Sequence, residues 1–203
     1  PNFNTRIPLR LKNPDQILKG YSQNKSFKSS TTDYRFRQLR DVNPNVRINV
    51  TKDSLPRALR IMNTIIKLIR LQGYELLPSN GHLYVKVHGQ KMEIRMLETT
   101  RRLRKENPKY SWDQFDYIHT GKLKFIMETS CRLDVKEIIE GVTPMESQIA
   151  KIMACMELFG VKLKIYQEEL EAGWEKQRLR REHEKKQQQL LLSEKENTIT
   201  LFK

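Results

Sequence analysis

Residues 55–73, LPRALRIMNTIIKLIRLQG, decide the fold. At 100° per residue, Leu55, Ala58, Leu59, Ile61, Met62, Ile65, Ile66, Leu68 and Ile69 fill one continuous arc, and Arg57, Arg60, Asn63, Thr64, Lys67 and Arg70 fill most of the other. This is the pattern of a helix with a wide buried face and a basic outer face. Thr51, Asp53 and Ser54 are capping types, Pro56 suits a first helical position, and Gly73 accepts the left-handed conformation that ends a helix. The basic arc has two readings, a solvated helix face or a row of phosphate contacts.

Outward from this helix the period changes to two. Val46, Ile48 and Val50 alternate with Arg47 and Asn49, which predicts a strand just before it. After it come 74–77, a turn at 78–81, and a strand pair. Leu83, Val85 and Val87 alternate with His82, Tyr84, Lys86 and His88; Gly89-Gln90 turns the chain; Met92, Ile94 and Met96 alternate with Lys91, Glu93 and Arg95. The apolar set belongs on the helix and the polar set faces outward. Leu123, Phe125 and Met127 resume the same period. The expected fold class is α+β, an antiparallel sheet packed on one central helix with a long carboxy-terminal helix.

Between these strands, residues 98–121 read as a long loop. It opens on Arg101, Arg102, Arg104 and Lys105 and continues through Tyr110, Trp112, Phe115 and Tyr117. A loop of this length inside a domain is often functional. Residues 134–140 read as a short helical turn. Thr143-Pro144-Met145-Glu146 has the form of a capping box. Beyond it Ile149, Ile152, Met156, Phe159, Leu163, Tyr166 and Leu170 step by three and four, a seam for another helix or for the sheet. Residues 175–189, EKQRLRREHEKKQQQ, continue a helix that buries little. At the amino end, 6–11 read as an edge strand, Asn13-Pro14-Asp15 as a turn leading to Ile17 and Leu18, 21–33 as a polar linker and 34–39 as another short strand. The expected organisation is an arm and linker over 1–45, an α+β core over 46–142, a long helix over 143–189 and a flexible tail over 190–203.

The composition is basic, with 38 Lys plus Arg against 24 Asp plus Glu, a net charge of +14. That favours polyanionic partners, nucleic acid first. Cys131 and Cys155 are far apart and form no metal-binding spacing, so they read as reduced thiols of a cytoplasmic protein. No run reaches membrane-spanning length and no signal-peptide core is present. No phosphate-cradling glycine loop or serine-nucleophile motif occurs, the four histidines share no ligand spacing, and no metal or cofactor is expected.

Three runs carry a resemblance: INVTKDSLPRALRIMNTIIKLIRLQGYE (48–75), LYVKVHGQKMEIRMLE (83–98) and FDYIHTGKLKF (115–125). With the charged final helix they resemble a family of mostly uncharacterised bacterial proteins found among mobile-element and accessory genes. The similarity covers roughly 46–189. Its most specific pieces are Arg57-Ala58-Leu59-Arg60-Ile61-Met62 and Thr120-Gly121-Lys122-Leu123. Members of that family carry an amino-terminal segment resembling a helix-turn-helix. This chain starts at Pro1 without it, so it is expected to be part of something longer. The resemblance implies DNA association, chiefly through that segment, and implies no catalytic residues.

Three functions follow as expectations. The first is a non-enzymatic nucleic-acid-binding domain, DNA favoured, using Arg57, Arg60, Lys67, Arg70, Tyr84, Lys86, Arg95, Arg101, Arg102, Arg104 and Lys105. The second is a scaffold whose 149–170 seam joins a partner helix or a second copy. The third is a metal-dependent nuclease on Glu93 and Arg95, with Glu75 and Glu98 joining in space.

Overall fold

Val46, Ile48 and Val50 are all buried, and the segment between them forms strand β1, Arg47–Asn49. The computed structural model describes residues 7–19, 45–106, 110, 114–129 and 135–201, with backbone only from 193 onward. After β1 come helix α1 (Leu55–Leu71) and strands β2 (Glu75–Ser79), β3 (His82–Val87), β4 (Gln90–Arg104), β5 (Phe115–Thr129) and β6 (Val135–Ile139). Helix α2 (Ile149–Leu201) closes the described chain. The architecture is the expected α+β. Two units are present, Pro1–Val161 and Lys162–Lys203, and α2 begins in the first and makes up the second.

The whole predicted apolar arc of α1 is buried. Its amino end departs from the expected cap. Ser54 makes no side-chain cap bond, and the Thr51 hydroxyl donates to Glu98 instead. Its carboxy end follows the reading. Gly73 lies at φ +78°, its N–H donates to Arg70 O at 3.0 Å, and Tyr74 N–H donates to Ile69 O at 3.1 Å, the paired bonds of a Schellman ending.

The sheet runs β2-β3-β4-β5-β6, antiparallel throughout, and β1 adds to β4 in parallel. Because β5 follows β4 along one edge, β1 and β3 share the other; β3 reaches Ile94 and β1 continues from Arg95. Leu83, Val85, Val87, Met92, Ile94, Met96, Leu123, Phe125 and Met127 are fully buried, as their alternation requires. The two tight hairpin turns sit slightly off their expected places. They are Asn80-Gly81 and His88-Gly89, each with positive φ at both residues, the geometry that matches strand twist. Pro78 and Ser79 therefore belong to β2 and Gln90 to β4. His88 leaves the strand face, and its Nε2 lies 2.6 Å from Glu157 of α2.

Several expectations are corrected. Residues 7–11 form no strand; the described amino-terminal segment instead lies against α1. There Asp15 caps a short 3-10 turn (Gln16–Leu18), Asn63 accepts the Asp15 N–H at 2.9 Å, and Ile17 and Leu18 are buried. Residues 135–139 are strand, not helical turn, because β5 presents a free ladder edge that β6 satisfies. The capping box does not form: Pro144 leads a 3-10 turn (Met145–Gln148), and the Glu146 carboxylate goes to Arg57. The expected strand over 34–39, the linker over 21–33, Trp112 and Cys131 lie outside the described residues.

The long-helix seam divides. Ile149, Ile152, Met156 and Phe159 are buried within the first unit. There α2 approaches β3 so closely that a Cβ on Gly160 would lie 2.6 Å from Val87 Cγ1. In the second unit Leu163 and Leu170 are half-buried and Tyr166 is exposed. The backbone stays helical to Leu201, past residue 189 where a flexible tail was expected.

Candidate nucleic-acid interface

Four of the expected nucleic-acid residues belong to α1, and three of them have partners inside the protein. Arg57 Nε and Nη2 donate to both oxygens of Glu146 at 2.7 and 2.6 Å, and Nη1 and Nη2 donate to Glu140 at 3.1 and 2.5 Å. Those bonds hold the guanidinium protonated well above its ordinary range, and they outweigh burial in keeping both carboxyls below theirs. Arg70 pairs with Asp15 at 2.9 Å, and Lys67 Nζ lies 3.5 Å from Lys12 O. Arg60 is half-buried and adds its charge to the field on Glu146.

The outward sheet face is equally matched. Lys86 meets Glu75 at 3.8 Å, Arg95 meets Glu128 at 2.6 Å, His82 meets Glu93 at 2.7 Å, Lys124 meets Glu137 at 3.0 Å, and Lys91 sits 4.1 Å above the Tyr84 ring. The Lys86–Glu75, Arg95–Glu128 and Lys124–Glu137 pairs are neighbours on adjacent strands whose charges offset one another, whereas Lys91 rests on a neutral ring opposite Lys86 and Arg47 lies opposite Arg95. Tyr84, Lys86 and Arg95 therefore form part of a mosaic of opposite signs, not a cationic field.

The predicted loop is the correction that matters most. Residues 98–104 and 115–121 are strand, and beyond Leu97 and Leu123 β4 and β5 pair only with each other. They form a two-stranded ribbon, registered Thr100↔His119, Arg101↔Ile118, Arg102↔Tyr117, Leu103↔Asp116 and Arg104↔Phe115. Residues directly opposite share a face. One face thus carries Arg102, Arg104, Phe115, Tyr117 and His119, with the Arg102 guanidinium 3.4 Å from the Phe115 ring centroid. The other carries Arg101, Leu103, Ile118 and the pair Lys105–Asp116 at 3.3 Å. Arg101 and Arg104 have no acid within ion-pair distance among the described residues. Tyr117 and Ile118 are about half exposed. Tyr110, expected in the same region, is exposed at the ribbon's far end.

The base of the ribbon is built firmly. Glu98, expected as a nuclease ligand, is buried. Its oxygens accept from Thr51 N–H and hydroxyl, both at 2.7 Å, and from Gly121 N–H at 2.8 Å. Burial alone would raise this carboxyl; the three donors overcome it and leave the group below the ordinary range. The register shifts between Glu98 and Thr100, opposite Gly121 at φ +73°, as in a β-bulge that redirects a strand. Thr99 and Thr120 hydroxyls meet at 2.5 Å across it.

The same parity removes the nuclease arrangement. Met92, Ile94, Met96 and Glu98 are buried on one face of β4, while Glu93 lies on the other against His82. Glu75 is exposed on β2 beside Lys86. The carboxylates do not converge, and no group of three metal-ligating side chains occurs among the described residues. No helix among the described residues is long and apolar enough to cross a membrane. Cys155 is a half-buried free thiol.

Sequence reasoning found the ribbon cations and named Glu98, Thr51 and Gly121 in other roles, but missed that these three bond to one another at the ribbon's base, and did not see that Phe115 and Tyr117 share a face with Arg102 and Arg104. The signal was available in the two threonine-containing runs, which register once a hairpin is assumed. No family model, curated protein or solved structure matches this chain.

Proposed function

We propose that this chain is a non-enzymatic nucleic-acid-binding module, with DNA the favoured partner, acting in the cytoplasm of a bacterium through the β4–β5 ribbon. One observation supports it above all. Arg101, Arg102 and Arg104 stand close together on a two-stranded ribbon that buries little of its own surface, while Arg57 and Arg70 of α1 and Lys86, Arg95 and Lys124 of the sheet pair with acids of the protein. A two-stranded ribbon fits the major groove of B-DNA, which is ~12 Å wide. Five paired residues rising ~3.4 Å each give a reach of ~17 Å, enough to place arginines along a groove and against its phosphates. Affinity in such a contact comes mainly from phosphates and falls steeply with salt.

The test is titration of duplex DNA at 50 and 200 mM salt with the wild type and Arg101→Glu, Arg102→Glu, Arg104→Glu combined. Each lost phosphate contact removes ~0.9 from the slope of log K against log salt. Three lost contacts flatten it by ~2.7, with little change in melting temperature because all three residues are exposed. Equal retention of DNA by both proteins would refute the reading. The scaffold reading loses four of its seven seam residues, since Ile149, Ile152, Met156 and Phe159 are buried in the chain's own core.

A further inference from the structure

The second unit carries a stripe that the ribbon does not explain. At 3.6 residues per turn, Trp174, Gln177, Arg178, Arg181, Lys185 and Gln188 of α2 fall within one 120° arc. No Asp or Glu of 174–189 lies inside that arc. Glu175 and Glu182 stand on one rim, where Arg178 reaches them at 2.7 and 3.9 Å. Arg181 and Lys185 have no acid within ion-pair distance among the described residues. Glu184 stands on the other rim, where Arg180 reaches it at 3.1 Å, and the opposite face carries Lys176, Arg180 and Lys186 without an acid inside it; the stripe is set apart from that face by Trp174. An open groove of about 350 Å³ runs along the stripe, lined by Trp174, Gln177, Arg178, Arg181, Glu182 and Lys185. Trp174 is 65% exposed.

An exposed indole beside unpaired cations offers a stacking surface next to phosphate-binding groups. A second copy of the helix fits poorly. Continuing the heptad beyond Leu170 puts Gly173, Gln177, Arg180, Glu184 and Gln187 at the core positions, so pairing would bury charge instead of apolar surface. The chemistry that does fit is a strand of unpaired nucleotides. Its phosphates answer Arg181 and Lys185 directly and compete with Glu175 and Glu182 for Arg178, its bases stack on Trp174, and the Gln177 and Gln188 amides hydrogen-bond without adding charge. From Trp174 to Lys185 the helix rises ~16 Å, room for a short run of nucleotides. We infer that the Trp174–Lys185 stripe of α2 is a binding surface for single-stranded DNA. This deepens the nucleic-acid reading of the ribbon and rests on it, while using a separate element.

The probe is an oligodeoxythymidylate, compared with a duplex of equal length, on the full chain carrying Trp112→Phe so that Trp174 is the sole tryptophan. The expected result is quenching of Trp174 by the oligothymidylate at lower concentration than by the duplex. Arg178→Glu, Arg181→Glu and Lys185→Glu combined should flatten the single-strand salt slope by ~2, at ~0.7 per contact, and weaken binding at 50 mM salt by about tenfold or more. Trp174→Ala leaves charge and helix intact and should also weaken single-strand binding. The control reverses the same number of cations off the stripe, Lys176→Glu, Arg180→Glu and Lys186→Glu. Loss of binding in that control as large as in the stripe variant would overturn the inference, as would quenching by the duplex alone. Full single-strand affinity in the stripe variant, with duplex affinity lost on ribbon reversal, would overturn the stripe and keep the ribbon. Failure of the wild type to bind either DNA at low salt would remove both.

Discussion

Gly160→Ala tests whether the start of α2 is pressed into the sheet as the structure has it. The new Cβ would lie 2.6 Å from Val87 Cγ1 and 3.0 Å from Val87 Cβ, and Val87 is fully buried on β3. Overpacking of this kind costs ~1–3 kcal/mol. Replacing a helical glycine by alanine returns ~0.5–1 kcal/mol. From the middle of each range the net expectation is a loss of ~1 kcal/mol, or ~2–4 °C in melting temperature at this chain length. Val87→Ala alone removes two buried methyls and should cost ~2–3 kcal/mol, from ~0.8 per methyl plus the cavity left behind. In the double variant the alanine at 160 enters the space the valine vacated. Its cost should fall short of the sum of the single costs by ~1–2 kcal/mol, a coupling that residues in contact show and distant ones do not. Urea unfolding is the assay, followed in the near ultraviolet where the core aromatics report. The far-ultraviolet signal is unsuitable because the long exposed helix dominates it. A neutral or stabilising Gly160→Ala, or strict additivity in the cycle, would refute the close approach of α2 to β3.

Two further perturbations probe the parts that hold the site. Arg57→Met leaves Glu140 and Glu146 without their shared cation, and after allowing for the partial exposure of the cluster it should cost ~2 kcal/mol at neutral pH. Both carboxyls lie below their ordinary value of 4.5 in the folded protein, so their contribution is present above that pH and is lost as pH falls through the folded values. The stability gap between wild type and variant, read from urea melts, should therefore close on acidification; a gap independent of pH would deny the cluster its electrostatic role. Glu98→Gln replaces an acceptor of three hydrogen bonds by an amide whose nitrogen faces a donor. It should cost ~1–3 kcal/mol and speed hydrogen exchange at the Thr51 and Gly121 amides before the core strands respond. Unchanged protection at both amides would mean the carboxylate does not hold the ribbon's base.

What the sequence made legible was every element with one buried face. The apolar arc of α1, the alternation of β1, β3 and the first half of β4, and the first turns of α2 each repeat at the period of their structure because one side meets the core. The ribbon was misread as a loop because neither of its faces is buried, so TTRRLR and FDYIHT carry no hydrophobic period. The β6 strand was misread because VKEII is short and has an apolar residue at both ends, a spacing a helical turn also satisfies. The partners of Arg57 were invisible for a different reason. Glu140 and Glu146 are 83 and 89 residues away, and no local pattern announces a pair that only the tertiary fold assembles. A basic outer arc on a helix wheel therefore could not distinguish a cation meant for solvent from one meant for a buried acid.

That distinction changes what a net charge of +14 means for this protein. Cations on elements that build the core are drawn into cross-strand and tertiary pairs, because a half-buried charge without a partner is costly. Elements that bury little escape that pressure, and on them Arg101, Arg104, Arg181 and Lys185 have no acid within ion-pair distance among the described residues, beside paired neighbours such as Arg178 and Arg180. An isolated two-stranded ribbon is marginal in water, and adjacent arginines make it more so by repulsion. This ribbon is sustained from its base, by the Glu98 bonds to Thr51 and Gly121 and by the Thr99–Thr120 contact, while its outer half carries Arg101, Arg102 and Arg104 beside exposed aromatic rings. Stability alone would favour acids or uncharged residues opposite those arginines. A polyanion brought to that surface would supply the missing counter-charge. The proposed function therefore rests on where the charges remain unpaired, not on how many there are.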